Sequence, residues 1–224
     1  VNTRAITAEG IGTFALVFFG PGAAVVQAQT GALGHAGVAV VFGLTVAAVL
    51  TALGPVSGAH INPVATLVMV LTGKFPARDA VPYILAQLAG AVMAGFALRA
   101  IFGLEGNLGV TVPRGSEAQA FALETVLTFW LMLVALRVSG PGAGAVIGAV
   151  VGLEAMMGGP ITGASMNPAR SFGPAVASGV WTSHWLYWLA PVLGALIAVV
   201  VNTVLETRTS NKTASVQWEQ APNS

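Results

Sequence analysis

The 224-residue chain contains no cysteine, which excludes disulfide bridges, thiol catalysis and metal sites built on thiolates. Charge is nearly as scarce: Asp, Glu, Lys and Arg make up 8% of the residues, against roughly 25% in an ordinary soluble domain. The net charge of +1 offers no basic surface for a nucleic acid. Only three histidines occur, His35, His60 and His184, and their spacing suggests no metal site. What fills the chain is apolar, with 55% hydrophobic residues and a mean hydropathy of +0.82. Such a composition belongs to an integral membrane protein. No grouping of nucleophile, acid and base suggests an enzyme, and neither cofactor nor metal is expected.

A helix needs about 20 apolar residues to cross a bilayer core. Six segments qualify, at about 6–28, 35–54, 79–102, 119–138, 143–159 and 184–206. The first, preceded by Arg4, has some look of a signal peptide, but Glu9 inside it and the return of its pattern later mark a true span. Two further apolar stretches, about 63–72 and 168–177, are too short to cross alone and read as re-entrant half-helices. The expected fold is therefore an all-α membrane protein of six transmembrane helices plus two half-helices. One transmembrane domain covers 1–206, and the polar, Ser/Thr/Asn-rich 207–224 is expected to be a mobile cytoplasmic tail.

The two halves, about 5–105 and 118–206, repeat each other. Pro55-Val56-Ser57-Gly58-Ala59-His60-Ile61-Asn62-Pro63 returns as Pro160-Ile161-Thr162-Gly163-Ala164-Ser165-Met166-Asn167-Pro168, 105 positions later (167−62). Glu9-x-x-x-Thr13-Phe14 returns as Glu124-x-x-x-Thr128-Phe129, and Tyr83-x-Leu85-Ala86-x-x-x-Gly90-Ala91 as Tyr187-x-Leu189-Ala190-x-x-x-Gly194-Ala195. Three spans per half is an odd number, so the second copy enters the membrane from the opposite side and the half-helices meet near the midplane. Arg4, Lys74, Arg78, Arg137, Arg208 and Lys212 fall on one side and only Arg114 lies in an opposite loop, with Arg99 inside or at the end of the third span. By the positive-inside rule both termini are cytoplasmic, in a plasma or bacterial inner membrane. Gly144-x-x-x-Gly148-x-x-x-Gly152 and Gly90 with Ala94 read as small-residue faces for close helix crossings.

Asn followed by Pro is a helix start, Asn as N-cap and Pro in the first turn. Both half-helix N-termini carry partial positive charge, and Asn62 and Asn167 can aim amide N–H groups at one central point. A water there accepts from both, so its hydrogens point outward and a proton wire is broken, while the dipoles repel cations. The segments before each Asn, about Gly58 to Ile61 and Gly163 to Met166, are expected to be extended. The carbonyls of Gly58, Ala59, His60, Gly163, Ala164 and Ser165 then line a single file of water. Glu9 and Glu124, at the same repeat position, read better as braces for backbone N–H groups of the loops than as a proton relay. His60 reads as a loop brace bonded to backbone, and His35 and His184 as interfacial. Trp181 and Trp185 fit an aromatic belt, with Trp188 deeper as a packing residue.

With two Asn-Pro boxes at inverted-repeat positions and the paired Glu-x-x-x-Thr motifs, residues 5–206 resemble the aquaporin, or major intrinsic protein, family. The first box has Val64 where the family usually has Ala; the second is the usual Asn167-Pro168-Ala169, followed by Arg170. The resemblance implies a homotetramer with one pore per subunit and a selectivity filter of Phe42, Ala155, Ala164 and Arg170. Water-selective relatives usually have His at the position of Ala155. Two methyl groups here imply a wider, less polar constriction that admits a compact polyol, urea or an undissociated hydroxide such as arsenous or boric acid. Glu154 adjoins Ala155 and is read as filling the vacated space, pairing with Arg170, or turning to a neighbouring helix or subunit.

Other markers point to water alone. Glycerol facilitators of the family typically have Asp after the Arg, whereas this chain has Ser171 there, and Tyr187-Trp188 in the sixth span. The stretch from Gly159 to Met166 also resembles the plant intrinsic proteins that pass metalloids. A passive channel for water and small uncharged solutes, closed to protons and ions, is the expectation. A strictly water-selective channel and a secondary transporter of a small solute are the alternatives.

Overall fold

The computed structural model describes the backbone of residues 2–219 and the side chains of 2–206. Eight helices lie within these residues: α1 (Thr3–Thr30), α2 (Gly34–Ser57), α3 (Pro63–Leu71), α4 (Ala77–Phe102), α5 (Glu117–Arg137), α6 (Ala143–Thr162), α7 (Pro168–Ser178) and α8 (Leu186–Glu219). Six are long and apolar enough to cross a membrane; α3 and α7 are the two short ones. The backbone of α8 continues to Glu219, so the expected tail begins inside this helix, and 220–224 lie outside the described residues.

Glycine sets how closely the spans cross. A Cβ on Gly43 of α2 would stand 2.7 Å from the carbonyl oxygen of Gly148 on α6, and Gly144 and Gly148 lie against Ala47 and Thr51. Gly90 of α4 is pressed in the same way onto the backbone of Gly10 in α1, and its repeat counterpart Gly194 onto Thr125 of α5. Small residues thus let backbones meet where lipid offers no hydrophobic force to pull helices together. Leu44, Val81, Met93, Leu153 and Val200 face outward, as a lipid-facing surface requires.

The structure corrects the helix ends. The spans expected to end at about 54 and 159 run on through Pro55 and Pro160, and α2 and α6 close at Gly58 and Gly163, both left-handed with φ of 86°. A proline leaves the carbonyl four residues earlier without its helical donor. For Pro160 that carbonyl is Met156 O, and His35 Nε2 donates to it across 2.6 Å. His35, expected at the interface, is exposed at the start of α2 and also serves this helix.

Candidate functional site

The loops before α3 and α7 are not extended as the sequence suggested. Ala59 and Ile61 have φ of 46° and 45°, and Ala164 and Met166 have 44° and 53°. Left-handed backbone costs a non-glycine residue on the order of 1–3 kcal/mol. The same two steps are held in both halves, so the surrounding contacts impose them.

Those contacts come from two wholly buried carboxylates. Glu9 Oε1 accepts from Ser57 Oγ (2.7 Å) and His60 N (2.9 Å), and Oε2 from Ile61 N (2.7 Å) and Gln87 Nε2 (2.7 Å). Glu124 Oε1 accepts from Thr162 Oγ1 (2.6 Å) and Ser165 N (2.8 Å), and Oε2 from Met166 N (2.8 Å). In a medium without water, each carboxylate satisfies two loop N–H groups and turns the loop carbonyls the other way. Tyr83 and Tyr187 donate to Ser57 O (3.0 Å) and Thr162 O (2.7 Å), fastening each loop from α4 and α8. The His60 ring bonds Thr66 Oγ1 at 3.1 Å rather than backbone, matching the Ser165–Ser171 hydroxyl pair of the second half.

Asn62 and Asn167 cap α3 and α7. Asn62 Oδ1 accepts from Val64 N (2.9 Å), and Asn167 Oδ1 from Ala169 N (2.9 Å) and Arg170 N (3.3 Å). Each amide nitrogen reaches across the repeat: Asn62 Nδ2 donates to Met166 O and Asn167 Nδ2 to Ile61 O, both at 2.8 Å. An amide nitrogen has two hydrogens. One is committed to the opposite loop, which leaves the other for whatever occupies the space between the two caps.

Two cavities lie along the molecule, and the smaller reaches this point. One, of about 200 Å³, is lined by Gly58, Ala59, His60, Asn62, Asn167 and the side chains of Leu131 and Met132, among others. The other, of about 770 Å³, is bordered by Gln27, His35, Asn107, Arg114, Ala155 and Gly163. Phe42 and Arg170 line both, so the passage is divided where these two meet. Arg170 Cζ stands 5.0 Å from the Phe42 ring centre, within cation–π range. Ala164 borders the smaller cavity and Ala155 the larger. Of the four residues expected at a constriction, the structure brings Phe42 and Arg170 together, with Ala164 on one side of their meeting point and Ala155 on the other.

Arg170 is 4% exposed and is held by carbonyls: Nη1 donates to Gly109 O (2.8 Å) and Nη2 to Gly163 O (3.4 Å). It does not pair with Glu154. That carboxylate is buried, lines neither cavity, and has no hydrogen-bond partner for either oxygen among the described residues. It lies on the stripe of α6 that continues through Gly158, packed on Leu127 of α5, to Thr162. Of the three readings of Glu154, only the turn toward a neighbouring helix fits.

Sequence reasoning missed Gln87 and Gly109. Gln87, wholly buried, ties Glu9 to Thr66 Oγ1 (3.0 Å), and an uncharged amide within a span was the available signal. Gly109 closes the turn Glu105–Gly109, in which Gly106, Asn107 and Leu108 have φ of 55°, 48° and 57°. This turn has no repeat counterpart and so left no mark in the sequence comparison of the halves.

The sequence pattern that defines the family described as "Major intrinsic protein" matches residues 1–202. The chain is 44% identical over 199 residues to Aquaporin NIP1-1 of Zea mays, a match covering 85% of this chain and 71% of that protein. It is 38% identical over 208 residues to Nodulin-26 of Glycine max, covering 89% and 77%. The X-ray structure of the aquaglyceroporin from Plasmodium falciparum superposes with a TM-score of 0.76 at 27% identity, over 88% of this chain and 93% of that one.

Proposed function

This chain belongs to the major intrinsic protein family and is a membrane channel for water and small neutral solutes, and we propose that it works in two stages, a filter at Phe42, Ala155, Ala164 and Arg170 and an orienting centre at Asn62 and Asn167. The observation that carries this reading is the crossed pair of Asn-to-carbonyl bonds, which leaves each amide one hydrogen directed at the same short stretch of passage.

A water at the centre accepts from both amides and therefore donates away from it in both directions. Its neighbours follow that polarity, and a proton cannot hop across the reversal. The N-termini of α3 and α7 add positive potential there, which opposes cations and hydronium. At the filter, two of the five guanidinium N–H groups of Arg170 are held by Gly109 and Gly163, which fixes the plane; the rest donate to a passing oxygen. Phe42 supplies the apolar wall, and the methyls of Ala155 and Ala164 leave room for more than water. The carbonyls of Gly58, Ala59, His60, Gly163, Ala164 and Ser165 accept from the file of permeants.

The excess of Lys and Arg on one side supports cytoplasmic termini in a plasma or bacterial inner membrane. Likeness to the family supports a homotetramer. Stopped-flow measurement of water, glycerol, urea and arsenite permeation in proteoliposomes tests the function. Flux that rises linearly with solute concentration is expected. Saturable flux driven uphill by a proton or sodium gradient would overturn the channel in favour of a transporter.

A further inference from the structure

The filter has a back wall, and one turn of α1 forms it. A Cβ built on Gly20 would stand 2.6 Å from Cδ1 and 2.8 Å from Cζ of Phe42, with Cε1 nearer still, and these are the three nearest atoms. No real Cβ tolerates such distances, so the Phe42 ring occupies space that exists because residue 20 has no side chain. Gly20 is buried in α1 and lines neither cavity. The next residue, Pro21, backs the opposite wall: a Cβ on Gly109 would lie 2.7 Å from Pro21 O and 2.8 Å from Pro21 Cα. Gly109 is the residue whose carbonyl holds Arg170 Nη1. Two adjacent residues of one helix therefore seat both the aromatic and the cationic side of the constriction.

We infer that Gly20 is a specificity-determining positioning residue: by leaving a recess in α1 for the Phe42 ring, it keeps the constriction wide enough for solutes larger than water. The physical argument is directional. Phe42 hangs from α2 between α1 on one side and the lumen with Arg170 on the other. A methyl group on Gly20 removes the recess, and the ring, at the flexible end of its side chain, retreats toward the guanidinium. Water still passes a narrowed gap; glycerol and urea, which need a wider one, do not. This inference rests on the proposed filter at Phe42.

The test compares wild type, Gly20→Ala, Phe42→Ala and the double variant in proteoliposomes, reading the ratio of glycerol to water permeability, which does not depend on how much protein is inserted. Gly20→Ala is expected to lower the ratio by about tenfold, the scale on which ångström displacements act at tight sites, and to leave it unchanged when Phe42 is already Ala. An unchanged ratio in Gly20→Ala, or the same fall in both backgrounds, would overturn the inference. If Phe42→Ala by itself leaves the ratio at the wild-type value, the filter reading fails instead. Should Gly20→Ala not accumulate in membranes, Phe42→Leu with and without Gly20→Ala carries the comparison. Leu still reaches toward α1, so a lower ratio in the double variant supports the inference and an equal ratio overturns it.

Discussion

Gln87 donates to Glu9 across 2.7 Å, and the second half has no equivalent bond: by the Tyr83–Tyr187 correspondence, its position on α8 is Pro191. The two loops look alike but are not equally braced, since Glu9 receives four hydrogen bonds and Glu124 three. Removing Gln87 takes a donor away from both Thr66 Oγ1 and Glu9 Oε2, leaving an acceptor site on each without it. Gln87→Leu is expected to cost about 1–3 kcal/mol, read as a lower Tm of the purified channel in detergent. An unchanged Tm would mean that the first loop is held without it.

At the pore centre, Asn167→Asp keeps a capping oxygen for the N–H groups of Ala169 and Arg170 but removes the amide donor. Both the bond to Ile61 O and the orienting hydrogen are lost, and a carboxylate attracts what the dipoles repel. Proton leak into dye-loaded vesicles should rise about tenfold or more, the change that roughly 1.4 kcal/mol off a barrier brings. Leak equal to wild type would remove Asn167 from the exclusion of protons.

Ala155 borders the wider cavity beside Phe42 and Arg170. Ala155→His fills that border with a polar ring. Glycerol and arsenite permeability should fall, by about tenfold or more as above, with water permeability largely retained. Equal solute flux before and after the change would show that Ala155 does not bound the passage.

Glu154 finds no hydrogen-bond partner among the described residues and lines neither of the two cavities, yet it is buried, one turn before Gly158, which packs on Leu127 of α5. An unpartnered buried polar group costs about 1–3 kcal/mol. Glu154→Met, an apolar side chain of similar length, should therefore raise Tm and leave the glycerol-to-water ratio alone. A drop in Tm, or a changed ratio, would reveal a role for the carboxylate that its surroundings do not suggest.

His184 precedes α8 with its ring against Phe172, Trp181 and Tyr187, and burial pushes its pKa below the ordinary histidine value. The folded state then holds this proton less readily than the unfolded chain. Its contribution to stability is complete above about 6.5, the unfolded value, and is lost as pH falls from there through the lower folded value. Tm in detergent should drop between pH 7.5 and pH 5, and the drop should shrink in His184→Phe. An equal drop in the variant would assign it elsewhere.

Much of this architecture was legible because both halves solve one problem twice. A broken helix in lipid needs a carboxylate for its loop, an Asn for its cap and a Tyr to pin the turn, so Glu9 and Glu124, Asn62 and Asn167, and Tyr83 and Tyr187 recur at matching positions. The left-handed Ala59, Ile61, Ala164 and Met166 were not legible, since local preference argues against positive φ at such residues. Distant carboxylates impose it. The passage of α2 and α6 through Pro55 and Pro160 was hidden for a related reason: at Pro160 the freed carbonyl is served by His35, 125 residues earlier in the sequence (160−35). Gly109 and Gly20 act through single contacts outside the repeat, and periodicity has nothing to say about them.

The crossed amides have a consequence for how the molecule is made. Each loop finishes its hydrogen bonding on the other: Asn62 on Met166, Asn167 on Ile61. A chain stopped after α4 would possess three spans and a capped half-helix, but its Asn62 amide would face lipid or stray water with no mate. Synthesis therefore lays down every element of the first half before any pore centre can exist, and the channel is completed only by the insertion of residue 167. Assembly of the pore centre thus depends on the same two bonds to which the proposed mechanism assigns the exclusion of protons.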